Sequence, residues 1–293
     1  MNRTLHLPHW LPAAAVAACG AMWGLFWFPL RWIESLGVGG GWASVFLNIA
    51  AMAAAAPWLL RREAWRGFKM QSITGLMLGT AFALYTVSLV LTDVLHAILL
   101  FYMTPVWSTL ATWAFFGHRL SWSRIAALVL GFAGLALILG LGASLPLPHN
   151  AGDWIALVSG MIWSAGTIRA SRLPATGVAL TFFSFAAGSF IASVVILIIG
   201  MALSAPFAAM QQLLPALPWI ILVALTVYVP PTAMVLWATQ RIDPGRAGIL
   251  LMTEVVVGSI SAGLLSGETF GLREIAGTLL IIGAGLVEVT AKE

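Results

Sequence analysis

Long runs of apolar residues alternate with short polar links along the whole chain. A helix that crosses the hydrocarbon core of a bilayer needs about 20 such residues. Runs of this kind lie near 11–33, 42–60, 72–91, 94–116, 123–143, 154–171, 177–203, 217–239, 246–266 and 272–290. They predict an all-α integral membrane protein with ten transmembrane helices. A transmembrane β-barrel would read as strands of about ten residues with alternating character, and no such pattern occurs. Pro8 and Pro12 precede the first span, Asp93 opens the fourth and Asp243-Pro244 the ninth, all residues suited to helix starts. Gly37-Val38-Gly39-Gly40-Gly41 is a flexible turn between two apolar runs.

Composition narrows the class. Hydrophobic residues make up 61% of the 293 residues and charged ones 8%, with a mean hydropathy of +0.99. Soluble domains carry about 25% charged residues, so a water-soluble fold is excluded. The net charge of +4 raises the question of a nucleic-acid partner, but the 14 Lys and Arg are scattered. With the N-terminus inside, twelve of them fall on inner segments and only Arg31 and Arg273 on outer ones. That asymmetry predicts a multi-pass protein of the inner (cytoplasmic) membrane, with both termini cytoplasmic and no nucleic-acid partner. Trp10, Trp32, Trp42, Trp58, Trp65, Trp122, Trp154 and Trp219 fall near span ends, as an aromatic belt requires. Trp23, Trp27, Trp107, Trp113, Trp163 and Trp237 lie within spans, where each indole N–H needs a partner or a polar cavity.

Reactive chemistry is sparse. A single cysteine, Cys19, excludes an internal disulfide and a Cys-based metal site. Val16-Ala17-Ala18-Cys19 has the look of a lipoprotein cleavage box, but the apolar run continues through Trp23 and Phe26-Trp27-Phe28, so Cys19 reads as mid-helix. The histidines are dispersed and no phosphate-cradling glycine loop exists, so no metal and no cofactor are expected. An intramembrane enzyme would need His, Asp or Glu clustered at one depth. Glu254 stands nearly alone, so no catalytic residue is assigned.

The chain also resembles itself. At an offset of 150 residues Asp93 meets Asp243, Ala97 meets Ala247, Gly117 meets Gly267, and Ile125-Ala126 meets Ile275-Ala276. Gly20-x-x-Trp23 meets Gly160-x-x-Trp163 at an offset of 140. These matches divide the chain into repeats over 1–145 and 146–293, five spans each. Five is odd, so the second copy crosses in the opposite sense, and the charges of matching links agree. Inverted repeats around a central cavity are a common transporter architecture, with the binding site near the midplane.

Residues 249–258, ILLMTEVVVG, place one carboxylate, Glu254, in an apolar run, where a charge is costly unless it faces protein or water. At the repeat offset Glu254 pairs with Thr104, beside Pro105, which removes a backbone hydrogen bond and allows a kink. Glu254 can act as a proton-coupling carboxylate, as a partner for a substrate ammonium or for Arg241 or Arg246, or as a neutral packing donor. The aromatics expected to line the cavity are Trp23, Tyr85 and Tyr102 from the first half and Trp163, Tyr228 and Trp237 from the second. Pro105 and Pro230-Pro231 are expected to break helices and leave carbonyls free for an ammonium. No span interior holds Lys or Arg, which disfavours phosphorylated substrates. Gly75-x-x-x-Gly79, Gly131-Phe132-Ala133-Gly134 and Gly283-Ala284-Gly285 read as helix-packing positions.

Ala21-Met22-Trp23-Gly24, Met103-Thr104-Pro105-Val106 running to Phe116-Gly117-His118, Thr253-Glu254-Val255 running to Ser266-Gly267-Glu268, and Gly283-Ala284-Gly285 together resemble the EamA-type ten-helix exporters of the drug/metabolite transporter superfamily. His118 stands where an acid is usual and Val255 where a proline often follows the Glu. The in-span aromatic richness is most like the exporters of aromatic amino acids. The resemblance implies a basket of ten helices around a central cavity that exports amino acids, aromatic or hydrophobic, by alternating access, a fold that can work as a monomer. The alternative is a multidrug or quaternary-ammonium extruder driven by proton exchange.

Overall fold

The computed structural model describes residues 8, 10–60, 65, 68–92, 94–117, 121–138, 147–173, 178–204, 209–265 and 271–290. Asp93, His118, Ser266, Gly267 and Glu268, and the basic residues Arg3, Arg61, Arg62, Arg66, Arg119 and Lys292, lie outside them. Among the described residues, each interval marked by the apolar runs is mostly helical. In chain order these are α1 (Leu11–Gly24), α2 (Trp27–Ser35), α3 (Gly40–Leu59), α4 (Phe68–Leu91), α5 (Val94–Phe101), α6 (Thr104–Phe116) and α7 (Trp122–Ile138). The second half follows with α8 (Ala151–Arg172), α9 (Val178–Ala202), α10 (Leu217–Val223), α11 (Val229–Ala238), α12 (Pro244–Leu251), α13 (Thr253–Leu265) and α14 (Leu272–Thr290). Seven helical runs among the described residues are long and apolar enough to cross a membrane, and Trp122–Ile138 is a shorter apolar one. Cys19 is buried in the middle of α1 and is a free thiol.

Local chemistry sets the helix ends. The Asp243 side chain caps α12 by accepting from the Arg246 N–H at 3.0 Å, with Pro244 in the first turn, as the sequence predicts. Asn150 caps α8 by accepting from the Asp153 N–H at 3.0 Å. Gly117 closes α6 with a φ of 67°, a left-handed conformation that glycine adopts without steric cost.

Several spans are interrupted. The first breaks at Leu25-Phe26, the run from Val94 at Tyr102-Met103, the run from Pro244 at Met252, and α10 passes into α11 through a π-helical turn, Ala224–Tyr228. α5 and α12 start and stop 150 residues apart, so two breaks recur at the repeat offset. A glycine from another helix covers each. A Cβ on Gly160 of α8 would lie 2.7 Å from the Phe101 carbonyl, and one on Gly20 of α1 would lie 2.9 Å from the Leu251 carbonyl. Only a residue without a side chain lets the backbones approach that closely.

These details correct the role expected of the prolines. Pro105 does not kink a continuous helix; it sits in the first turn of α6, where its missing N–H costs nothing. The Phe101 carbonyl is not left for a ligand either, because the Thr104 hydroxyl donates to it at 2.6 Å. Pro230 and Pro231 occupy the first turn of α11, behind the π-helical turn.

Glycines also set the seams between helices. Gly75 and Gly79 of α4 lie against the Thr181 and Phe185 carbonyls of α9, and Gly188 of α9 lies against the Leu76 carbonyl. Gly134 of α7 and Gly277 of α14 each face the other's carbonyl. Gly283 differs from expectation, since nothing lies within 4 Å of a Cβ built there. Outward faces are apolar: Ile191, Val195, Ile198 and Ile199 of α9 are all more than half exposed, which in this molecule is surface for lipid. At one end of the bundle Arg124 of α7 pairs with Asp243 at 2.6 Å and with Glu288 of α14 at 2.8 Å, joining three helices through a largely buried ion cluster.

Gly79→Val should drive α4 and α9 apart and destabilise the fold by about 1–3 kcal/mol, the usual cost of overpacking. Gly283→Ala should leave the thermal unfolding midpoint in detergent unchanged. Equal midpoints for both variants would show that α4 and α9 are not held at backbone distance.

Candidate functional site

Aromatic side chains from five helical segments, and Tyr102 from the break after α5, meet in the buried core. The Trp23 ring of α1 meets Trp163 of α8 edge-on, with centroids 6.1 Å apart, and lies 5.5 Å from Phe82 of α4. Phe82 continues to Tyr228 at 6.0 Å, and Phe101 lies 6.2 Å from Trp163, 5.5 Å from Tyr102 and 4.1 Å from Tyr85, on which it stacks. Trp23, Tyr85, Tyr102, Trp163 and Tyr228 are therefore linked into one chain of ring contacts through Phe82 and Phe101. Trp237 is not; its ring lies beneath the Arg241 guanidinium, 4.6 Å away. Tyr102, Trp163 and Tyr228 are each 2% exposed, so most of this cluster is packed shut rather than spread around an open chamber.

Beside the cluster is a cavity of about 250 Å³. Phe26, Phe82 and Tyr228 provide its aromatic wall, Ser44, Asn48, Thr86 and Ser193 its neutral polar groups, and Glu34 its one acid. The polar groups are tied together. The Tyr228 hydroxyl donates to Asn48 Oδ1 at 2.8 Å, and Asn48 Nδ2 donates to the Ser44 carbonyl at 2.8 Å and to Ser189 Oγ at 3.1 Å. Ser44 Oγ and Ser193 Oγ share a hydrogen bond of 2.8 Å. Each pair is spaced by four residues, one turn of its helix, so Ser44 and Asn48 share a face of α3 and Ser189 and Ser193 a face of α9. Trp23 Nε1 is buried and has no hydrogen-bond partner among the described residues, which leaves a donor without an acceptor next to the ring cluster.

Glu254 is in the first turn of α13, immediately after the Met252 break. Its partner is neither Arg241 nor Arg246. The Tyr102 hydroxyl, at the other break, lies 2.6 Å from Glu254 Oε2 and 3.1 Å from the Leu251 carbonyl, donating between them. Arg241 instead donates to the Trp237 carbonyl at 2.7 Å, and Arg246 to the Val289 carbonyl at 3.2 Å. The tyrosine thus joins the two interrupted helices directly.

The two halves also match known proteins. The EamA-like transporter family matches residues 10–140 and again 150–289. The chain belongs to that family. It is a multi-pass membrane protein of a transporter family. One crystal structure, of a protein 19% identical in sequence, aligns over 94% of this chain and 96% of its own with a TM-score of 0.66, a likeness of fold. No curated protein matches the sequence.

Sequence reasoning missed Phe26, Phe82, Ser44, Ser189 and Ser193. Phe82 lies three and four residues before Tyr85 and Thr86, a helical face that could have flagged it. The serines could have been found as polar pairs one turn apart in apolar runs, Ser44 with Asn48 and Ser189 with Ser193.

Tyr102→Phe removes the hydroxyl that bridges the two breaks. The expected loss is about 1–3 kcal/mol, the cost of leaving a buried polar group unsatisfied. Glu254→Gln keeps an acceptor for the hydroxyl and should cost less than Tyr102→Phe. Thermal unfolding of both variants in detergent reads the order, and the reverse order would mean that the bond is not structural.

Proposed function

We propose that the protein is a secondary transporter that exports amino acids, aromatic or otherwise hydrophobic, across the inner membrane by alternating access. The observation that carries this reading is the make-up of the cavity. At about 250 Å³ it falls just below the roughly 300–1,000 Å³ of sites for drug-sized ligands. Aromatic faces at Phe26, Phe82 and Tyr228 suit a side chain or an ammonium, and Glu34 adds an opposite charge for the latter. The hydroxyls of Ser44, Thr86 and Ser193 and the Asn48 amide give the cavity neutral polar groups for the main-chain end of an amino acid. Among the described residues no Lys or Arg lines the cavity, so it offers no fixed positive charge to a phosphate.

In this reading Trp23, Tyr85, Tyr102, Trp163 and Tyr228 form the substrate-side aromatic cluster. Trp237, packed against the same core, adds a further aromatic face, and Pro105, Pro230, Pro231 and Glu254 sit at the helix breaks that gate access. The chain crosses the membrane ten times as two inverted repeats, 1–145 and 146–293, with both termini cytoplasmic, and a monomer suffices. Reciprocity of contacts supports the inversion. Ser44 meets Ser193 while Asn48 meets Ser189, a self-complementary exchange at an offset of 145 between antiparallel segments, as a two-fold axis would produce. Trp23 and Trp163, matched at an offset of 140, meet each other at 6.1 Å. Basic residues near the ends of α6, α8 and α11 and the start of α12 support a cytoplasmic location for that end. The cavity, with Glu34 and Gly40 in its wall, then opens to the outer side.

A second reading rests on Glu254. A carboxylate hydrogen-bonded between two broken helices can also carry a proton, which would make the protein an extruder of drugs or quaternary ammonium ions. Uptake of labelled phenylalanine into liposomes containing the purified protein, with no ion gradient, separates the two. The amino-acid reading expects equilibrative uptake suppressed by unlabelled tryptophan, and an apparent affinity lowered about tenfold by Asn48→Ala, the equivalent of one hydrogen bond of about 1.4 kcal/mol. No uptake of any amino acid, together with accumulation of a lipophilic cation that needs a proton gradient and is abolished by Glu254→Gln, would establish the extruder instead.

A further inference from the structure

A second, larger hollow lies on the lipid-facing side of the molecule, away from the aromatic cluster. It is a groove of about 830 Å³ between α6 and α8, with Met77 of α4 at its edge. Its wall runs along α8 from Met161 through Ile168 to Arg172, and along α6 from Trp107 through Ala111 to Phe115, in helical steps on each. The two helices are parallel, since Thr104 and Ser164 meet near one end and the Arg172 guanidinium lies 3.8 Å over the Phe116 ring at the other. From Met161 to Arg172 the groove extends about 16 Å at 1.5 Å per residue. That is half of the roughly 30 Å hydrocarbon core, the depth of one leaflet.

Its chemistry is graded along that length. The deep part is aliphatic and aromatic, and the end at the membrane surface holds Arg169 and Arg172, with no acidic residue among the described residues of the wall. Arg169 Nε and Trp107 Nε1 are both buried and lack hydrogen-bond partners among the described residues. Arginines in the last turn of α8 also complement the helix dipole, which accounts for their sign but not for the groove or the unpartnered donors.

We propose that this groove holds an anionic phospholipid of the adjoining leaflet, one acyl chain lying between α6 and α8 and the phosphate held by Arg169 and Arg172. An apolar slot one leaflet deep fits a chain, a guanidinium pair fits a phosphate through forked donors, and net negative charge on the headgroup favours it over a zwitterion. The lipid is a structural ligand between α6 and α8, distinct from the transported substrate.

Native mass spectrometry of the detergent-released protein, titrated with phosphatidylglycerol or phosphatidylcholine of identical chains, tests this. The expected result is one retained phosphatidylglycerol with at least a tenfold preference over phosphatidylcholine. Arg169→Gln with Arg172→Gln should abolish the preference, while Arg169→Lys with Arg172→Lys keeps most of it. Ala165→Trp, which fills the groove from an exposed position and leaves both arginines intact, should remove the bound lipid altogether. Equal retention of the two lipids by the unaltered protein, or an unchanged adduct in Ala165→Trp, would overturn the proposal. Displacement of the lipid by millimolar inorganic phosphate would overturn it in favour of a free-anion site. If the double glutamine variant fails to fold, the comparison of lipids on the unaltered protein and the Ala165→Trp result decide.

Discussion

A helix that breaks inside an apolar medium frees carbonyls that no solvent can reach, and every one must find a donor or close cover within the protein. Much of this structure follows from that constraint. At the first break the Thr104 hydroxyl donates back to the Phe101 carbonyl while Gly160 of α8 lies against the same peptide. At the second, Tyr102 reaches across to the Leu251 carbonyl and Gly20 of α1 covers the junction. Satisfying the breaks therefore fixes where α1 and α8 lie, and with them Trp23 and Trp163, each three residues beyond its glycine. The aromatic cluster is in this sense a consequence of how the backbone was repaired.

Much of the fold is legible in the sequence because lipid exposure demands long apolar runs, and their positions can be read directly. Helix starts at Asp243-Pro244 are equally plain, since caps are local chemistry. The contacts are harder. In a soluble helix a polar stripe identifies the outward face, but here both faces are apolar, so periodicity does not say which side meets protein. That is why Gly79 and Gly283 look alike in sequence, yet one lies in a seam and the other in open space. Nor does periodicity say that Trp237 stays outside the chain of ring contacts that links the other aromatics. Its ring packs against the same core while the Arg241 guanidinium, one turn on, lies over it.

Polar residues in apolar runs were the more reliable guide, and their pairing was the part left unread. Asn48 alone is ambiguous between packing and cavity. With Ser44 one turn before it and Ser189 and Ser193 facing both, it becomes the centre of a network that ends on the Tyr228 hydroxyl. Glu254 illustrates the same limit. Its depth was readable from the run around it, while its partner was Tyr102, more than 150 residues away, a contact that only the packing of the two breaks creates.

The seam between α4 and α9 has a mechanical consequence. Gly75, Gly79 and Gly188 bring backbone against backbone, so at these three points there is little side-chain freedom to slide or re-pack. Dispersion at such distances fades within an ångström of separation, and the contact is either made or lost. Any motion that parts these helices must do so in a single step, with the pair behaving as a latch rather than a spring. Because the latch carries no charge, ionic strength has no direct hold on how often it opens.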